Sequence, residues 1–137
     1  MNEQNNIQVI QHAYQCFGQG DVAGVLSTLT DDVVWHVAPV ANVPYTGTRN
    51  GHAGAGEFFS LMAEVEDVLA FEPREFIAQG DKVAVIGHFA GRPKATGREY
   101  ETYWVHVFTM RDGKIANFVE YTDTAAIASA FTKAQSA

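Results

Sequence analysis

Residues 100–123, YETYWVHVFTMRDGKIANFVEYTD, read as two long antiparallel strands joined by a tight turn at Arg111-Asp112-Gly113. A three-residue loop built on a type I turn ends on a residue with positive φ, which Gly113 supplies at no steric cost. In that register Met110 opposes Lys114, Trp104 opposes Glu120 and His106 opposes Phe118. Side chains alternate with period two, so Trp104, His106, Phe108, Phe118 and Glu120 project to one face. An imidazole and a carboxylate among aromatic rings make an unusual wall for a plain core. The turn decides this, because a two-residue Asp-Gly loop shifts the register by one and separates the two groups.

Further strands are signalled at 69–79 and 82–93, with Gly80-Asp81 and Thr96-Gly97 as turns. A loop from Lys94 to Arg98 places His88 opposite Trp104, on the face that carries His106. Upstream the period changes. Ile7, Ile10, Tyr14 and Phe17 recur at helical spacing up to Gly18 and Gly20. Asp21 is an N-cap for a second helix, closed by Asp31 and Asp32. VVWHV (33–37) is a short strand, followed by a Pro/Gly/Asn loop to about Gly51, and Phe58, Leu61, Met62 and Val65 mark a third helix over 52–66. The segment TAAIASAF (124–131) is a short final helix. Helices first and a meander of long strands after them define an α+β chain.

The length of 137 residues suits one domain, 1–137, and 47% hydrophobic with 12% aromatic residues indicates a packed core. A formal charge of −7 without any Lys/Arg cluster argues against nucleic acid and anionic membrane as partners. The polar start MNEQNNIQ carries no signal segment and no apolar run reaches spanning length, so a cytoplasmic location is expected. Cys16, the one cysteine, sits in the apolar stripe of the first helix and reads as a small buried hydrophobe.

Odd-numbered Val83, Val85, Phe89, Val105, Val107, Ile115 and Val119 give the sheet a second apolar face, opposite the one with Trp104, His106 and Glu120. Three helices cover one face only. The other is covered either by a second copy in a homodimer or by closure of the sheet into a barrel.

The chain resembles the cone-shaped α+β fold of ketosteroid isomerase, scytalone dehydratase, nuclear transport factor 2 and the SnoaL-like polyketide cyclases. The likeness is carried by Tyr14-x-x-Phe17-x-x-Gly20-Asp21, by residues 29–35 (LTDDVVW) and by Pro44-Tyr45-x-Gly47-x-x-x-Gly51 with Phe58-Phe59. Thr96-Gly97-Arg98, residues 106–109 and 111–115, and Glu120-Tyr121-x-Asp123 complete it. In the cyclases a histidine and an acid fourteen residues apart on the last two strands line the pocket. His106 and Glu120 have that spacing, with Glu in place of Asp. The resemblance places a proton-abstracting Asp of the isomerases near Val37, which cannot take a proton, and their donor Tyr next to Tyr14. In the isomerases the His106 position resembles that of a neutral acid that hydrogen-bonds the enolate.

Glu120 is therefore the first catalytic candidate, since a carboxylate on an apolar face is costly unless it is paired or used. His106 either orients Glu120 and polarises a carbonyl or is a satisfied core histidine. Tyr14 is the hydrogen-bond donor. Trp35, Phe58, Phe59, Met62, His88, Trp104 and Phe118 are expected to line the pocket, where plain core packing is the competing role. His36 alternates outward and His52 starts a helix.

No two histidines have tight ligand spacing, so no metal and no cofactor is expected. The glycine-rich run 47–56 has neither a dinucleotide fingerprint nor a P-loop lysine, and no G-x-S-x-G occurs. The functional expectation is a cofactor-free acid–base enzyme of cyclase or isomerase type acting on a small, largely apolar carbonyl compound. The alternative is a non-catalytic module on the same fold that binds a small hydrophobic ligand or serves dimerisation.

Overall fold

The computed structural model describes residues 2–132. Asn2 caps the first helix, α1 (Glu3–Gly18), by accepting from the Asn5 N–H at 2.7 Å. Ile10, Ala13 and Cys16 form the buried stripe of this helix. Gly20 turns the chain at a φ of 72°, and Asp21 caps the one-turn helix α2 (Val22–Leu26). Strand β1 (Leu29–Val37) begins earlier than its sequence signal, so Asp31 and Asp32 do not close a helix. Leu29, Val33, Trp35 and Val37 bury on its inner side while both acids stay exposed, and Asp32 pairs with Arg111 of the last hairpin. Strand pairing prevails over a short helical pattern here, because the long sheet contributes more buried surface.

The stretch after Pro39 is not all loop. Its last four residues form β2 (Gly47–Asn50), an edge strand whose polar sequence GTRN carries no strand signal. Then come α3 (Gly51–Val65), β3 (Glu66–Gln79), β4 (Lys82–Pro93), β5 (Tyr100–Arg111), β6 (Lys114–Thr122) and α4 (Thr124–Phe131). The six strands make one sheet in the order β2-β1-β6-β5-β4-β3, with β1 and β6 parallel and all other neighbours antiparallel. β2 and β3 are free edges, so the sheet curves without closing. A closed barrel is thereby excluded as the cover for the second apolar face. Bulges at Leu69 and Arg74 interrupt the β3–β4 ladder and add the bend that wraps the sheet round α1.

Two registers differ from the sequence expectation. The last hairpin turns on two residues, Asp112 and Gly113, at φ of 53° and 79°, the positive pair that a type I′ turn demands. Arg111 then faces Lys114 and Met110 faces Ile115. Ala116 is an extra residue, however, and beyond it Thr109 pairs with Asn117, Phe108 with Phe118 and His106 with Glu120. The bulge undoes the inversion that the shorter turn would have caused. The β4–β5 register also differs by one from the expectation, with Gly91 facing Tyr100 as its last pair, so Gly87 faces Trp104 and His88 faces Tyr103. Val83, Val85 and Phe89 consequently point into the core, each 0–7% exposed, as does Ile115. The outer face is made instead by Ala84, Ile86, Val105, Val107 and Val119.

Gly87 lies under the Trp104 indole, where an added Cβ would sit 2.2 Å from Cζ2. Gly87→Ala is expected to displace Trp104 and lower unfolding stability by about 1–3 kcal/mol, the usual cost of overpacking. Urea denaturation followed by tryptophan fluorescence checks this, with a loss and an emission shift appearing together.

Candidate active site

The inner face of β5 and β6 brings His106 and Glu120 together as direct cross-strand partners. The His106 ring is 5% exposed, and its Nε2 lies 2.8 Å from Glu120 Oε2. With Nε2 donating its proton to the carboxylate, Nδ1 becomes an acceptor. Tyr14, delivered by α1 from the other end of the chain, donates to that nitrogen from Oη at 2.9 Å. A continuous line Tyr14–His106–Glu120 results. Burial, reinforced by the negative charge of Glu120, pushes the Tyr14 phenol up from its ordinary value, so it remains a donor.

Aromatic packing holds the line in place. Trp104 stacks on the His106 ring with centroids 4.0 Å apart and lies near-parallel to Phe71 at 5.1 Å, which is itself 6.3 Å from His106. Phe118 meets His106 edge-on at 4.7 Å and stacks on Trp35 at 3.9 Å. Trp35, Phe58, Phe59, Met62, Trp104 and Phe118 all line one hollow together with Tyr14, His106 and Glu120. The Nε1 atoms of Trp35 and Trp104 are buried and find no partner among the described residues. Two unsatisfied donors at a cost of about 1–3 kcal/mol each are unusual in a core, and both belong to side chains of this wall.

His88 is not part of the hollow. The β4–β5 register puts it on the outer face, between Glu72 at 3.4 Å and Glu101 at 3.2 Å. His36 is also on the outer side, 2.6 Å from Thr48 Oγ1, and His52 reaches the Leu29 carbonyl at 3.0 Å. Among the described residues no group of three His, Cys, Asp or Glu is arranged to hold a metal ion. No helix among them is long and apolar enough to cross a membrane.

Three polar residues of the site escape sequence reading. Tyr45 and Tyr100 line the same hollow, and Glu66, 2% exposed, accepts from Tyr100 Oη at 2.8 Å. Tyr45 stands close enough to influence both groups, but only the Tyr100 contact has hydrogen-bond geometry. Glu66 Oε1 has no partner among the described residues. Alternation along β5 from His106 back to Tyr100 was the available signal for Tyr100. Glu66 had none, since an acid at the α3–β3 junction reads as a solvated helix end.

An open, curved sheet wrapped on helices around an aromatic hollow defines the cone-shaped α+β class. The chain belongs to the SnoaL-like domain family, whose model matches residues 10–118. It is similar in structure to an NTF2-like protein from Burkholderia xenovorans LB400, at 35% identity over 96% of this chain and 99% of that one, with a TM-score of 0.88. An NTF2-like protein from Burkholderia pseudomallei K96243 follows at 27% identity, 96% and 99% coverage and a TM-score of 0.85. TerC, crystallised with polyporic acid, shares 34% identity over 93% of this chain and 98% of its own, with a TM-score of 0.76. No curated protein matches the chain in sequence.

Burial pushes the Glu66 carboxyl above the ordinary carboxylate range, more than the Tyr45 and Tyr100 phenols pull it down, and the charge of Glu120 adds to the rise. The folded state thus favours the neutral acid. Its stabilising contribution is complete below the ordinary glutamate value and fades as pH climbs through the raised one. Glu66→Gln, which mimics the neutral acid, is expected to melt at a higher temperature than the parent at pH 8, with the gap closing towards pH 4. Melting curves at both pH values check it, and equal gaps would contradict it.

Proposed function

We propose that the chain is an acid–base enzyme of cyclase or isomerase type, acting without a cofactor on a small, largely apolar molecule that bears a carbonyl group. Its support is the unbroken hydrogen-bonded line from Tyr14 through His106 to Glu120, opening on an aromatic hollow. Glu120 uses one carboxylate oxygen for the His106 N–H and keeps the other for a substrate proton. The C–H bond next to the carbonyl breaks, the proton goes to Glu120, and the electron pair moves onto the carbonyl oxygen. Tyr14 Oη–H, by rotating away from Nδ1, or the unpaired indole N–H groups of Trp35 and Trp104 receive the developing negative charge. Glu120 then returns the proton to another carbon. The aromatic walls keep water from the enolate. Every step is a proton transfer, so none calls for a redox or metal group. The co-crystal of TerC with polyporic acid supports a small organic ligand for a pocket of this kind.

The protein acts as a homodimer in this reading, joined through the outer sheet face. Ile77, Tyr103 and Tyr121 on that face are 56%, 69% and 60% exposed, beside Ile86, Val105, Val107 and Val119. Several exposed apolar side chains on one sheet face support an interface there.

In heavy water the parent protein is expected to speed exchange of the hydrogens next to the carbonyl of 2-tetralone, followed by proton NMR. Glu120→Gln should slow that exchange about 10²–10⁴-fold. Exchange no faster than buffer in the parent, or an unaffected Glu120→Gln, sinks the acid–base reading.

A separate measurement addresses assembly. Sedimentation should give a dimer mass for the parent and a monomer mass for Val107→Glu, and a monomeric parent would refute the interface.

A further inference from the structure

Six large apolar side chains are exposed among the described residues. Ile77, Tyr103 and Tyr121 belong to the outer sheet face. The other three, Val22, Val68 and Leu69, at 37%, 42% and 42% exposure, lie elsewhere. They border a groove of about 760 Å³ between α1, α2, α3 and β3. Leu69 is the residue that bulges out of the β3–β4 ladder, which turns this lip of the groove towards solvent. The lining contains no charged residue, and its side-chain amides are those of Gln11 and Gln15.

Volume connects the groove to the candidate site. The inner hollow encloses only about 80 Å³, roughly half of the ~150 Å³ that suffices for benzene. Pockets for organic ligands run about 300–1,000 Å³, a range that includes the groove but not the hollow. Tyr14, Phe17, Val25, Phe59, Met62 and Phe71 line both spaces. Tyr14 therefore touches the groove on one side and His106 on the other. A molecule that presents a few atoms to Glu120 must leave most of its bulk where these shared walls lead.

We propose that the groove is a subsite for an apolar tail of the substrate, a neutral alkyl or aryl chain attached to the carbonyl head that enters the hollow beside Tyr14. This rests on the acid–base reading for the head and adds the substrate class. An uncharged lining excludes a tail ending in phosphate or carboxylate, because such a group would be desolvated without a partner. The exposed Val22, Val68 and Leu69 then have a purpose that packing does not supply.

The test is a series of methyl ketones from 2-butanone to 2-nonanone, titrated by ligand-observed NMR. In the parent, affinity is expected to rise about fourfold for each methylene that enters the groove. Val68→Gln/Leu69→Gln should cut the increment below twofold and leave 2-butanone binding unchanged. Both sites are on the surface, and unchanged 2-butanone binding reports that the variant is folded. Equal increments in parent and variant, or no gain from 2-butanone to 2-nonanone in the parent, overturn the proposal. A change in oligomeric mass of the variant with its increments intact also overturns it and assigns the lip to a protein partner. The series is repeated in Glu120→Gln. Increments that persist there while 2-tetralone exchange fails in the parent sink only the acid–base reading, whereas flat increments with exchange intact sink only the tail subsite.

Discussion

The pairing of His106 with Glu120 exists because two register shifts in the β5–β6 hairpin cancel. A type I′ turn at Asp112-Gly113 alone would set Val119 against His106 and turn Glu120 to the outside. The extra residue Ala116 moves the rest of β6 by one position and restores the acid to the inner face. That single bulge determines which charges enter the core. Once inside, the carboxylate is tolerable only because the imidazole meets it, since a lone buried ion costs far more than a paired one. The imidazole is satisfied in turn by Tyr14. The sheet and α1 are thus keyed to each other by polar contacts as well as by packing.

The architecture was legible from period alone. Alternation in 82–93 and 114–122 gives β4 and β6 with their observed bounds, and helical spacing locates α1, α3 and α4 closely. Register was harder to read. His106 and Glu120 were assigned to one face through a three-residue turn that does not occur, and the correct face follows from a bulge with no marker in the sequence. Ala116 is neither Gly nor Asn, the residues that would flag a bulge. His88 shows the same weakness without a compensating shift: a one-residue difference in the β4–β5 register moves it from the hollow to the outer face. Edge strand β2 was invisible because GTRN is polar on both sides, and its pairing comes from β1.

Two buried-side acids have different companions, Glu120 in the lining of the hollow and Glu66 behind its Tyr100 contact. Glu120 meets an imidazole and Glu66 meets a phenol, and the charge of the first is felt at the second. Phe71, Trp104 and His106 form one stack of near-parallel, mutually adjacent rings, which Gly87 makes possible by leaving the indole room. Rings packed this closely have few rotamers to choose from, so the polar atoms at the margin of the stack are held without a rigid polar network. The narrow hollow is a consequence of that stack, and the adjoining groove takes up the bulk that the stack refuses.

Strand β3 is the long free margin of the sheet, and it is broken twice, at Leu69 and at Arg74 just after Pro73. Proline offers no N–H to a neighbour, and each bulge throws the ladder out of step. No incoming segment can therefore zip along the full margin, and growth of the sheet by added strands ends at β3. On the broad outer side of the sheet, by contrast, Ile77, Tyr103 and Tyr121 stay open.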